Sequence, residues 1–118
     1  MEDKILLGDI FYCKRDDIKL FFQVVGFKSN KSVVLKEIEG EEGKSEDGGR
    51  TYAIKPIKDR FKKDSYYTPN ETTITKRVLK DDCYKELYVS IKNDKYRKQY
   101  FLYKNEKTYN DYYWIYWH

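Results

Sequence analysis

Apolar and polar positions alternate through residues 18–25: Ile18, Leu20, Phe22 and Val24 fall on one side of an extended backbone, Lys19, Phe21, Gln23 and Val25 on the other. A period of two predicts a strand. Gly26 ends the alternation, and a missing side chain there predicts a bulge or bend. Lys28-Ser29-Asn30-Lys31 reads as a hairpin turn, with Ser32-Val33-Val34-Leu35-Lys36-Glu37-Ile38 returning as the next strand. Similar short runs occur at 10–13, 51–57, 72–78, 87–92, 97–104 and 108–117. Pro56 lacks a backbone donor and predicts a strand end near a sheet edge. Residues 39–50 hold five acids and four glycines without an apolar residue, which predicts a flexible acidic excursion.

No window carries an apolar stripe at helical spacing over three turns, and residues 80–85 allow at most one helical turn. About seven or eight strands at short spacing predict an all-β meander that closes into a small barrel or packs as a compact sandwich, and the barrel with hairpin extensions is the favoured expectation. Closure would cover the edges that so many Tyr and Val residues would otherwise expose. At 118 residues the chain is read as one domain over 1–118.

Chemistry-bearing side chains are few. Cys13 and Cys83 are the only thiols and His118 the only imidazole, without a Cys-x-x-Cys pair. A closed zinc site needs four such ligands, so no metal is expected, and the thiols are read as separate and buried or half-buried. A nucleophile–histidine arrangement would have to pass through His118. The six glycines form no phosphate loop. Paired acids at Asp16-Asp17, Glu41-Glu42 and Asp81-Asp82 read as solvated connectors. The expectation is a protein that is not an enzyme and takes no cofactor. No apolar run approaches the ~20 residues of a membrane helix, and Met1-Glu2-Asp3-Lys4 reverses the charge order of a secretory signal. A cytoplasmic protein without membrane contact is expected.

Gly8-Asp9-Ile10-Phe11-Tyr12, Phe22-Gln23-Val24-Val25, the run 32–38, Ile54-Lys55-Pro56 with Phe61, and Lys76-Arg77-Val78 together form a pattern. It resembles a group of small uncharacterised proteins carried by bacteriophages, conjugative plasmids and integrated elements. The likeness spans about residues 8–92 and departs at residues 13–19. Gly-Asp before an aromatic strand also opens SH3-like and KOW-like barrels. The resemblance implies an SH3-like barrel of mobile-element origin, located in the cytoplasm of a bacterial host, with no activity to carry over.

Charge and aromatic content supply the functional readings. Residues 1–50 hold 9 basic and 11 acidic side chains, a net of −2, whereas residues 51–118 hold 15 and 9, a net of +6. Cations neutralise phosphates while aromatic faces stack on bases. A rim for RNA or single-stranded DNA would draw on Lys55, Lys58, Arg60, Lys62 and Lys63 beside Tyr66 and Tyr67. Lys76 and Arg77, then Arg97 and Lys98 beside Tyr100, would complete it. Solvated lysines and half-buried tyrosines explain the same composition without a ligand.

The third reading is protein recognition. Tyr112, Tyr113, Trp114, Tyr116 and Trp117 make both faces of the last strand apolar. One face needs cover, from this chain, from a second copy in a homodimer, or from a host protein. The favoured expectation is a non-catalytic accessory protein that docks on a host protein or protein–nucleic-acid complex, such as a defence complex in the manner of anti-CRISPR proteins. Direct nucleic-acid binding is the alternative.

Overall fold

A computed structural model describes residues 5–13, 20–42, 52–83, 85–93, 96–103 and 108–110. Nine strands run through these residues: β1 (Ile10–Tyr12), β2 (Phe21–Ser29), β3 (Ser32–Glu42), β4 (Tyr52–Phe61), β5 (Ile74–Arg77), β6 (Leu79–Lys80), β7 (Leu87–Asn93), β8 (Tyr96–Leu102) and β9 (Thr108–Asn110). All pair antiparallel. The chain is all-β, and among the described residues the helical content is one 3₁₀ turn, Pro69–Glu71. At 80–85, where the sequence allows at most one helical turn, strand pairing gives way to a bond across four residues. Leu79 and Lys80 pair with β7, and Lys85 N–H then donates to Asp81 O at 2.9 Å.

The ladder closes on itself. Hydrogen-bonded neighbours run β7, β8, β1, β2, β3. On the side of β3 away from β2, β5 pairs from Ser32↔Arg77 to Leu35↔Ile74. One residue later β6 pairs with β7, Leu79↔Tyr88 and Lys80↔Leu87. Between them Val78 N–H donates to Lys31 O at 2.8 Å. Residues 74–80 are therefore one extended stretch shared between β3 and β7, which joins the two sides of the sheet into a small barrel.

Beyond Leu35 the same side of β3 passes to β4, from Ile38↔Phe61 to Glu42↔Ile54, and β9 pairs with Tyr52–Ile54 of β4. This pair forms the hairpin extension. It also takes in the first four residues of the expected acidic loop: residues 39–42 belong to β3, and 43–50 lie outside the described residues.

Strand alternation sends side chains to two cores. Phe11, Phe22, Val24, Val33, Leu35, Val89 and Tyr100 form the barrel interior with Cys13 and Ile91. Ile10, Tyr12, Phe21, Ile38 and Ile54 form a second cluster on the opposite face of β1–β3, closed by Phe61 and Tyr103. Both faces of β2 are thus covered. Tyr103 meets Tyr12 edge-on at 5.4 Å, a favoured aromatic geometry. Cys13 is buried and Cys83 exposed, without a disulfide between them, so burial applies to only one of the two thiols.

Three local features fix this arrangement. Val24 pairs with Leu35 but Gly26 with Val34, so the expected bulge is present at Val25. Pro56 does not end its strand. The register passes from Gly40↔Pro56 to Ile38↔Phe61, so residues 57–60 bulge outward and β4 resumes at Phe61. Asp59 sits in that bulge at φ 68° and exchanges two hydrogen bonds with buried Gln23, Asp59 N–H to Oε1 and Nε2 to Oδ1, both 2.7 Å. Opposite the bulge, a Cβ on Gly40 would lie 2.8 Å from the Phe21 ring, so only glycine lets the extension lie down on the second cluster.

Candidate functional site

The strand register places each candidate residue at one end of the barrel or the other. β2 ends and β3 begins at Ser29–Ser32, where β5 ends at Arg77 (Ser32↔Arg77). β6 ends and β7 begins at this same end, through Lys80↔Leu87. β7 then runs to the opposite end, where it turns into the start of β8 through Lys92↔Arg97.

The sequence-derived cations do not converge. Lys76 and Arg77 lie at the first end, and Arg97 and Lys98 at the opposite one. Lys55 and Lys58 flank a shallow depression beside Gly8 and Tyr103. Arg60, Lys62 and Lys63 join Lys36 in another depression, which also contains Glu39, Asp59, Asp64 and Glu71. Four cations there face four carboxylates, so the positive potential that phosphate recognition requires is largely cancelled within the protein. Arg60 lies 3.7 Å from Glu39, Lys62 lies 3.3 Å from Glu37, and Lys36 sits 5.0 Å above the Phe61 ring.

The tyrosines also separate. Tyr66 is exposed, while Tyr67 is half-buried with its ring edge-on to Phe22 at 5.4 Å. Tyr100 corrects the expected stacking set. It pairs with Val89, shares that residue's inward face and is 1% exposed, so no base can reach its ring. Tyr112, Tyr113, Trp114, Tyr116 and Trp117 lie outside the described residues.

Glu37 organises the loop after β4. Its side chain is 2% exposed, accepting from Ser65 Oγ at Oε1 and from Lys62 Nζ at Oε2. Glu37 N–H donates to Thr68 Oγ1 at 3.1 Å, and Ser65 Oγ accepts from the N–H groups of Tyr67 and Thr68. The Glu37 bonds tie β3 to the loop and the Ser65 bonds fold the loop on itself, so this buried polar cluster is a clamp.

The first end of the barrel holds a different surface. A groove of about 1040 Å³ opens between the N-terminal segment, the β2–β3 turn and the β5–β6 stretch. Leu6, Leu7, Phe27 and Leu79 line it, at 56%, 63%, 48% and 39% exposure. Among the described residues, four of the five exposed large hydrophobics therefore share one depression. Among the described residues, its charged lining groups are Lys31, Arg77 and Lys80, with no carboxylate.

Each wall has a local cause. Leu6 N–H donates to Asp9 Oδ2 at 2.8 Å, and Gly8 N–H donates to Val24 O at 2.9 Å with Gly8 at φ 90°. This turn hooks the N-terminal segment over the barrel mouth. Phe27 follows the Val25 bulge, and Leu79 follows the residue where the strand changes partners. Of these residues, sequence reasoning marked only Lys76 and Arg77 nearby. The available signal was the apolar triplet Ile5-Leu6-Leu7 directly before a glycine turn. Among the described residues, no group of three or more His, Cys, Asp or Glu side chains is placed to hold a metal, and no helix is long and apolar enough to cross a membrane. Comparison with protein-family models, curated proteins and solved structures finds no match for the chain.

Proposed function

We propose that this chain is a non-catalytic accessory binding protein of a phage or other mobile element, and that it docks on a bacterial host protein through the groove at the β2–β3 turn end of the barrel. One observation carries the reading: among the described residues, four of the five exposed large hydrophobics line that one groove. Scattered apolar side chains are ordinary on a protein surface, whereas a concentrated apolar depression marks an interaction site. The sequence resemblance directs the choice of partner to the host, with a defence complex as the target class. Direct nucleic-acid binding draws less support, because the cations divide between opposite ends and the richest cluster of them is balanced by acids.

The test is capture of a partner from nuclease-treated bacterial lysate by tagged full chain. A specific host protein is expected with the wild type and with the Arg97→Glu/Lys98→Glu variant. It should be lost with Leu7→Asp/Leu79→Asp. Retention by the leucine variant, or loss of every partner on nuclease treatment, would overturn the proposal.

A further inference from the structure

We infer that the groove takes a protein segment whose apolar side chains are flanked by carboxylates; this deepens the docking reading and rests on it. The groove has an apolar floor and a rim of one sign. Leu6, Leu7, Phe27 and Leu79 supply uncovered hydrocarbon, and Lys31, Arg77 and Lys80 supply the lining charge. Among the described residues of the N-terminal wall the one acid is Asp9, which is held by Leu6 N–H at 2.8 Å. The depression around Lys36 and Arg60 has a comparable size, about 1090 Å³, but carries both signs. The groove thus combines an apolar interior with a single-signed border, and complementary charge selects a partner with Asp or Glu beside its apolar anchors.

Other occupants fit less well. A second copy docking groove to groove would set Lys31 and Arg77 against their own equivalents, since an isologous contact repeats the same patch on both sides. Nucleic acid would find a single described ring, Phe27, among leucines, where successive bases need several aromatic faces. A lipid surface favours apolar groups that project from the protein, whereas these line a depression.

The experiment is selection of short randomised peptides by immobilised full chain, with affinities then measured by fluorescence anisotropy. Selected peptides should combine apolar anchors with enriched Asp and Glu. Leu79→Asp should abolish their binding, and Lys31→Glu/Arg77→Glu should weaken it about tenfold while improving binding of Lys-flanked counterparts. The charge-reversal sites are exposed or at the rim, and the circular dichroism spectrum should stay native in both variants. Peptides without acidic enrichment, insensitivity to both variants, or no selection at all would overturn the inference. So would preferential binding to phosphatidylglycerol vesicles, or a dimer in light scattering that Leu79→Asp dissolves. Groove-dependent capture of a host protein alongside non-acidic peptides would sink this inference alone. Failure of both experiments would remove the docking reading as well.

Discussion

Glu37 shows how one residue governs a surface it does not reach. The alternation of β3 makes it an inward position, and the Ser32–Ile38 pattern gives no sign that its carboxylate is satisfied by a loop about thirty residues later. Ser65 Oγ and Lys62 Nζ donate to the carboxylate, and Thr68 Oγ1 accepts from the Glu37 backbone N–H. Removing a buried hydrogen-bonded partner leaves its donors without acceptors, at about 1–3 kcal/mol. Glu37→Ala is accordingly expected to lower stability by about that amount in urea unfolding and to speed amide exchange at Tyr67 and Thr68. Glu37→Gln keeps one acceptor oxygen and should lose less. Equal exchange rates at Tyr67 and Thr68 in the wild type and Glu37→Ala would remove the clamp.

At the scale of elements, much was legible because a strand's period of two is local. The alternations at 18–25 and 87–92 locate β2 and β7 within a few residues, and Gly26 marks the bulge. The lengths of β3 and β4 were not legible. An acidic glycine-bearing stretch reads as loop until Phe21 and Ile54, far apart in sequence, are known to close over Gly40. Pro56 misleads similarly, because the bulge at 57–60 removes the need for a regular ladder after it. The closing stretch yields a prediction of its own. Val78 N–H donates to Lys31 O midway along a stretch that changes partners, and proline there would delete that donor. Val78→Pro should destabilise the fold by about 1–3 kcal/mol, and should expose the Asp81 amide, whose bond to Glu86 O lies just beyond the seam. Unchanged protection at Asp81 would show that the seam does not hold the barrel closed.

For the whole molecule, composition supplied the right side chains and the wrong neighbourhood. Knowing that Lys76-Arg77 and Arg97-Lys98 are basic says nothing about which end of a barrel each occupies, and register alone places them apart. The groove was invisible for the same reason: Leu6, Phe27 and Leu79 meet only after three separate connections reach one end. Such a surface should be detectable without any partner. An environment-sensitive apolar dye is expected to bind the native chain, and Leu7→Asp/Leu79→Asp should abolish the signal. The same double substitution should shift unfolding by no more than about 0.5 kcal/mol per site, because both leucines are already substantially in water. A buried counterpart behaves oppositely: Val33, 2% exposed beneath the groove, belongs to the barrel core and its replacement by Asp should unfold the chain. Dye binding that survives in the leucine variant would place the exposed apolar surface elsewhere, and the groove would lose its claim to be where this molecule meets its partner.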